Sequence, residues 1–201
     1  MGFLQNFSRQ FSHPKGWLGY IAGRLMAYGN REINRWTLSL LDIGPKDRVL
    51  EIGFGPGVAL AEVTQIAQGG FVAGIDPSEA MLKQAGKRNQ KAIREGRLEL
   101  KLGAVSALPY PDEYFDKVFS VNVIQFWPNP IEDLKEMRRV LKKGGTVAAT
   151  LQPRWTRDET MIDEIGREMV NQFSAAGFGN VRMFKKPTRP MTTVCVIGVK
   201  H

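Results

Sequence analysis

The chain has 201 residues, 43% of them hydrophobic and 24% charged, which is ordinary for one compact globular domain. No apolar run approaches the roughly 20 residues of a membrane span, and the N-terminus lacks the pattern of a secretory signal. The single cysteine, Cys195, excludes an internal disulfide and a thiolate metal cluster and agrees with a cytoplasmic location, and two histidines are too few for a histidine-built metal site.

The formal net charge of +8 is concentrated in three stretches. They are Lys83–Lys101, Lys135–Lys143 and the segment from Arg182 onward. The first two carry apolar residues at helical spacing, so solvated helix faces are one interpretation. Attraction to nucleic acid, lipid headgroups or an acidic substrate is the other, and composition leaves both open.

The N-terminal 41 residues read as an arm followed by a helix. Residues 1–20 are rich in Phe, Trp and Tyr but are interrupted by His13-Pro14 and by glycines, which predicts a partly irregular segment. Helical spacing follows over residues 21–41, with a break near Gly29-Asn30. The run Asp42-Ile43-Gly44-Pro45 ends this helix.

Short apolar strands and amphipathic helices alternate from residue 47 onward. We predict strands at 47–52, 71–75, 97–102, 115–121 and 146–151, helices at 58–68, 78–94, 130–141 and 158–176, and a turn at 142–145. Two last strands, 180–186 and 193–199, are joined by a link too short for a crossover helix, so they should be antiparallel. This order predicts an α/β fold with a reversed hairpin at one edge of the sheet.

The most informative segment is the loop after the first strand. Gly53, Gly55 and Gly57 stand at alternate positions, and Asp76 ends the second strand. Glycines allow a sharp turn and a close approach of the backbone to a ligand, because no Cβ intervenes. An acid at the end of the next strand can accept both hydroxyls of a ribose. The pattern therefore predicts a site for a nucleoside-bearing cofactor.

Two residues decide which nucleoside is favoured. A dinucleotide site has its third glycine at the position occupied here by Val58. Glu51, two residues before the first glycine, would repel a pyrophosphate but suits an ammonium group and a sulfonium. These features favour S-adenosylmethionine and disfavour a nicotinamide dehydrogenase.

Residues 49–57 resemble the first motif of class I S-adenosylmethionine-dependent methyltransferases, and residues 74–82 resemble the segment that follows it. Residues 102–116 and 134–145 resemble later parts of the same family, most of all its small-molecule and lipid branch, which includes quinone-biosynthesis enzymes. The resemblance implies a Rossmann-like, doubly wound, mostly parallel seven-stranded sheet. It implies one domain over residues 1–201, with an N-terminal arm or helical lid (1–45) and a cofactor-binding core (46–201).

The resemblance also implies roles in cofactor binding. The three glycines would lie beside the methionine and ribose, Glu51 would support the ammonium group, and Asp76 would accept from the ribose hydroxyls, although it also suits a turn or a helix cap. Residues around the adenine and methionine ends would be Pro77, Met81, Ala104, Val105 and Asn122. Met81 is equally suited to a helix core, and Asn122 to a structural place at the sheet edge.

Ala104 departs from the family pattern, which usually has an aspartate there to accept from the adenine amino group. Loss of one charge-assisted hydrogen bond weakens binding by roughly 1.5–3 kcal/mol. Backbone groups and apolar packing would then hold the adenine. Ala104 gives some support to a cofactor-binding module without catalysis.

Methyl transfer requires little acid–base chemistry, because a sulfonium is already an activated donor of a methyl group. No catalytic residue is assigned. The candidates are His13, Tyr20 and Tyr28 from the arm, Gln125, Phe126 and Trp127 after the fourth strand, and Gln152, Arg154 and Trp155 after the fifth. Each also has a structural interpretation, such as a packing role for Trp127.

The acceptor is expected to be a small hydrophobic or aromatic molecule, because only the aromatic-rich arm remains to cover the site. We hypothesise that the arm closes over the site and offers a peripheral contact to a membrane. A nucleic-acid methyltransferase is the alternative prompted by charge, but Val121-Asn122-Val123-Ile124 lacks the Asn/Asp-Pro-Pro-aromatic motif of amino-directed DNA enzymes. The acceptor atom and the oligomeric state stay open.

Overall fold

A computed structural model describes residues 30–201 of the protein. Its helices are α1 (Arg31–Leu41), α2 (Val58–Ile66), α3 (Glu79–Arg88), α4 (Gln90–Arg94), α5 (Pro130–Val140) and α6 (Glu159–Ala175). Its strands are β1 (Arg48–Ile52), β2 (Phe71–Asp76), β3 (Leu98–Leu102), β4 (Phe115–Val121), β5 (Leu141–Leu151), β6 (Gly179–Lys186) and β7 (Thr193–Val199). None of these helices has the length and apolar character that a membrane span requires.

The seven strands form one sheet in the order β3-β2-β1-β4-β5-β7-β6. Strands β1 to β5 pair in parallel, whereas β7 is antiparallel to both β5 and β6. The predicted doubly wound sheet and its C-terminal antiparallel hairpin are confirmed. The chain winds from β1 toward β3 and then, starting at β4, in the opposite direction. The carboxyl ends of β1 and β4 therefore flank the topological switch point, where open α/β sheets bind their ligands.

Helices cover both faces of the sheet, which explains why its central strands are apolar throughout. One core layer joins the sheet to α5 and α6 through buried residues such as Leu134, Ile162 and Phe173. The other joins it to α1, α2 and α3 through residues such as Leu41 and Leu60. Each strand buries alternate residues in opposite layers.

Helix α1 belongs to the core. Ile33 and Leu41 are each 1% exposed. The Thr37 hydroxyl lies 2.7 Å from that of Thr150 in β5, and both side chains are fully buried. Residues 31–41 of the expected arm or lid therefore pack against the sheet. Residues 1–29 of the expected arm lie outside the described part of the chain.

Two expected elements differ from the structure. The single helix predicted over 78–94 is divided into α3 and α4 at Asn89. The side-chain amide of Asn89 donates to the carbonyls of Gly57 and Ala85, each at 3.0 Å, and this tertiary contact fixes the break. The predicted turn at 142–145 lies inside β5, where it appears as a shift in the register with β4 between Leu141 and Thr146.

Candidate functional site

The loop between β1 and α2 turns through three glycines in the left-handed region. Gly53, Gly55 and Gly57 have φ angles of 71°, 51° and 73°. The N–H of Gly53 donates to the carbonyl of Ile75 at 2.7 Å, which ties the loop to β2. This conformation is readily accessible to glycine and costs other residues about 1–2 kcal/mol each.

The three glycines meet different surroundings. A Cβ on Gly53 would come within 2.5 Å of Val123, and one on Gly57 within 2.7 Å of Ala85. A Cβ on Gly55 would meet no protein atom within 4 Å. Packing therefore requires glycine at 53 and 57, whereas Gly55 keeps a space open above the ends of the strands.

Asp76 holds the glycine loop and the following turn together. Its Oδ2 accepts from the N–H of Gly55 at 2.8 Å, and its Oδ1 accepts from the N–H of Ser78 at 2.9 Å. Ser78 in turn caps α3 by accepting from the N–H of Met81. A carboxylate offers about four acceptor sites. Asp76 is thus a turn residue that still has acceptor capacity for a ligand.

Glu51 is buried in β1 with one oxygen unpaired. It is 3% exposed, and its Oε2 has no hydrogen-bond partner within residues 30–201. Burial raises the pKa of Glu51 well above its ordinary value, the nearby Asp76 raises it further, and the N–H of Leu60 acts in the opposite direction. Burial also raises the pKa of Asp76, against the two N–H donors that it accepts from. These two carboxyl groups therefore favour a cationic or hydrogen-donating ligand over an anion at their end of the site.

The residues expected around an adenine lie at the ends of β2 and β3. These strands pair up to Asp76 and Leu102, so Pro77 and Ala104 come from the same edge of the sheet. Pro77 and Ala104 are exposed, whereas Met81 and Val105 are buried. Met81 belongs to the core layer beneath α3, which agrees with its structural interpretation.

Asn122 connects the ends of two strands to the start of α1. It follows β4 with a φ of 58°, an uncommon conformation for a residue other than glycine. Its Oδ1 accepts from the N–H of Gln152 at 2.7 Å, and its Nδ2 donates to Oδ1 of Asn30 at 3.3 Å. The side chain thus has a structural function at the sheet edge.

Seven of the nine catalytic candidates separate into three groups. His13, Tyr20 and Tyr28 lie outside the described residues. Gln125 donates from Nε2 to the carbonyl of Asn122 at 2.9 Å, and its buried Oε1 has no partner within the described range. The aromatic candidates differ in exposure: Phe126 is 45% exposed, and Trp127 and Trp155 are half-buried against the core.

Two residues of the site had no signal that pointed to them in the sequence. Asn89 supports the carbonyl of Gly57 from 32 residues away. Asn30 stands at the predicted helix break, and its side chain contacts both Asn122 and Arg154. Both contacts depend on how the helices pack, which no local motif records.

The chemistry of this site fits S-adenosylmethionine. Two buried carboxyl groups, one with an unpaired oxygen, suit an ammonium, a sulfonium and ribose hydroxyls. The open space at Gly55 lets a ligand approach the backbone. The same carboxyl groups would repel the pyrophosphate of a dinucleotide.

Comparisons with known proteins agree with this geometry. Residues 50–149 match the family model described as a methyltransferase domain. The uncharacterized methyltransferase YdaC of Bacillus subtilis is 36% identical over 181 residues, which cover 90% of this chain and 98% of YdaC. The demethylmenaquinone methyltransferase of Bacillus cereus is 35% identical over 122 residues, or 58% of this chain and 50% of that enzyme.

A solved structure shares the fold. The complex between the Trm112 methyltransferase activator of Haloferax volcanii and a methyltransferase contains a chain that matches with a TM-score of 0.76 at 19% identity. The match covers 90% of the present protein and 93% of the Haloferax chain. The chain belongs to the class I S-adenosylmethionine-dependent methyltransferase family, and S-adenosylmethionine is its cofactor.

Proposed function

We propose that the protein transfers a methyl group from S-adenosylmethionine to a small hydrophobic or aromatic acceptor, within one domain that has an N-terminal lid. The observation that carries this proposal is the buried pair of carboxyl groups, Glu51 and Asp76, beside the open space at Gly55. This pair comes from β1 and β2, beside the switch point between β1 and β4. The aromatic side chains after β4 and β5 border the same edge.

Several groups of this chain would hold the cofactor. The backbone at Gly53 and Gly55 would lie beside its methionine and ribose, Glu51 would face the ammonium group, and Asp76 would use its remaining lone pairs for the ribose hydroxyls. The residues expected to flank the adenine are Pro77, Met81, Ala104 and Val105. When bound, the cofactor supplies an electrophilic methyl group that needs no further activation.

The protein must then orient the acceptor and exclude water. Phe126, Trp127 and Trp155 offer apolar surface at the ends of β4 and β5. The Nε2 of Gln125 is fixed by the carbonyl of Asn122, so its Oε1 is left as a hydrogen-bond acceptor in a buried place. That oxygen suits a hydroxyl or amine of the acceptor and would hold it without removing its proton.

The acceptor class is supported by the relatives. The Bacillus cereus protein is a demethylmenaquinone methyltransferase, so a quinone-like aromatic acceptor agrees with the aromatic residues of this site. This chain spans only half the length of that enzyme. We therefore propose the chemical class, a small aromatic molecule, and not a particular quinone.

Cofactor binding is tested best with two matched glycines. Gly55 and Gly96 both have positive φ angles, and a Cβ would meet nothing within 4 Å at either position. Gly55→Ala and Gly96→Ala should therefore lose similar stability, about 1–2 kcal/mol. Only Gly55→Ala should weaken the binding of S-adenosylmethionine in a calorimetric titration, because its new methyl group fills the space proposed for the ligand. Equal affinities in the two variants would contradict the placement.

The reaction itself is tested by a panel of phenols, hydroquinones and aromatic amines. The expected result is formation of S-adenosylhomocysteine that depends on an aromatic acceptor. Acceptor-dependent product with an RNA or DNA substrate and with none of the small molecules would instead favour nucleic-acid methylation.

A further inference from the structure

Arg154 follows β5 and projects a fixed guanidinium group at the edge of the site. Its Nε donates to Oε1 of Gln152 at 3.1 Å, and its Nη2 donates to Oδ1 of Asn30 at 3.0 Å. A guanidinium has five N–H donors. The other N–H groups have no partner within residues 30–201, and the side chain is exposed.

The partners of Arg154 are themselves held in place. Gln152 is 2% exposed, and its Nε2 donates to the Thr188 hydroxyl at 3.0 Å and to the carbonyl of Arg189 at 3.1 Å. Asn30 also accepts from Asn122. This network uses neutral amide oxygens to orient the guanidinium, so it fixes the direction of the group without neutralising its charge.

The surrounding segments add positive charge. Arg31 adjoins Asn30, Arg157 lies in the same loop as Arg154, and Arg189 is tied to Gln152 by its carbonyl. We call these three residues and Arg154 the arginine rim, because their backbone segments adjoin the contacts of Arg154. None of the four makes an ion pair with an acidic side chain in the described region.

The acidic residues nearest in the chain are engaged elsewhere. Glu32 pairs with Lys186 at 3.4 Å, and Glu159 pairs with Lys185 at 3.8 Å. Asp158 caps α6 by accepting from the N–H of Thr160 at 2.8 Å. Residues 1–29 contain no Asp or Glu at all, so the N-terminal segment has no acidic side chain with which to neutralise the rim.

We propose that Arg154 binds an anionic oxygen group, a carboxylate or a phosphate, on the methyl acceptor. The proposal rests on the proposed function and narrows it from an aromatic molecule to an aromatic acid. Arginine binds such groups through two parallel hydrogen bonds, and the orientation set by Gln152 and Asn30 prepares the guanidinium for that contact. The ring of the acceptor would lie against the aromatic residues after β4 and β5.

The test uses binding without turnover, so it does not depend on finding the true acceptor. The full-length protein is saturated with S-adenosylhomocysteine and titrated with benzoate, phenyl phosphate and the neutral analogue benzamide. The variants are Arg154→Gln, which keeps a hydrogen-bonding side chain, and Arg154→Lys, which keeps the charge. Arg94→Gln is the matched control, because Arg94 is exposed on α4 at the opposite edge of the sheet and has no ion pair within residues 30–201.

The wild-type protein should bind at least one of the two acids more tightly than benzamide. Arg154→Gln should lose about tenfold to a hundredfold of that affinity, in line with a charge-assisted hydrogen bond, while benzamide binding stays unchanged. Arg154→Lys should retain part of the preference, and Arg94→Gln all of it. Affinity for S-adenosylhomocysteine should be the same in every variant.

Three results would overturn the proposal. They are equal binding of acids and benzamide by the wild-type protein, an acid preference that survives in Arg154→Gln, and no measurable binding of either acid at millimolar concentration. Failure of methyl transfer to every small acceptor would instead count against the proposed function, and the titration with benzoate would still decide the role of Arg154.

Discussion

Replacing Glu51 by Gln should stabilise the empty protein and weaken cofactor binding at the same time. Glu51 is 3% exposed, and its Oε2 lacks a hydrogen-bond partner within residues 30–201. Burial and the neighbouring Asp76 raise its pKa. A carboxyl group whose pKa is higher in the folded than in the unfolded state stabilises the fold most below the unfolded pKa. That contribution is lost as the pH rises through the folded-state pKa.

The size of the effect follows from the buried charge, because the glutamine amide would still be a buried polar group. A buried polar group without a hydrogen bond costs about 1–3 kcal/mol, and more when it is charged. A glutamine at this place carries no charge, so Glu51→Gln should gain on the order of 2 kcal/mol at pH 8. For a domain of this size, such a gain corresponds to a rise in Tm of about 4–8 °C. The gain should shrink as the pH falls, because protonation removes the charge of Glu51 as well.

Thermal unfolding between pH 5 and pH 9 without cofactor measures the stability, and calorimetric titration measures the affinity for S-adenosylmethionine. Affinity of the wild-type protein should rise with pH, because the ammonium group needs an ionised partner, and Glu51→Gln should be roughly tenfold to a hundredfold weaker at pH 8. Glu79→Gln, at an exposed position in α3, is the control for loss of one negative charge. A Glu51→Gln protein that is less stable than wild type at pH 8 would refute the reasoning.

Two further predictions concern helix α1 and the N-terminal arm. The hydroxyls of Thr37 and Thr150 lie 2.7 Å apart and are fully buried, so Thr37→Val and Thr150→Val should show a coupling energy of about 1 kcal/mol in a double-mutant cycle of chemical unfolding. Additive effects would mean that the pair does not dock α1. Deleting residues 1–20 should leave the affinity for S-adenosylmethionine unchanged and abolish methyl transfer, as measured by titration and product formation. Unchanged turnover would show that the arm does not close the site.

The parts of the fold that follow from local pattern were predictable from the sequence. Strand β4 begins and ends at the predicted residues, because a short apolar run between turn residues is typical of a buried strand. The glycine loop was predictable for a similar reason, because glycines at alternate positions after a strand are typical of a sharp turn that lies close to a ligand. The antiparallel pairing of β6 with β7 followed from the length of the link between them.

The parts that depend on tertiary contact were not predictable. The break at Asn89 exists because its amide reaches the carbonyl of Gly57, and the sequence from 78 to 94 is otherwise continuous as a helical pattern. The placement of α1 depends on the buried hydroxyl pair with β5, which no periodicity reveals. Likewise, the orientation of Arg154 is set by Asn30, 124 residues earlier in the chain.

The two acidic residues of the site show how one pocket combines folding with binding. Each oxygen of Asp76 accepts one hydrogen bond, Oδ2 from the N–H of Gly55 and Oδ1 from the N–H of Ser78. These bonds fix the glycine loop and the start of α3 without a ligand. Glu51 has a backbone contact with the N–H of Leu60, but its Oε2 is buried without a partner in the described region. Replacing Asp76 should therefore disturb both the loop and the binding of the cofactor. Glu51, in contrast, lowers the stability of the protein without cofactor. A buried charge that weakens the empty fold is explained if the ligand that completes the site is a cation.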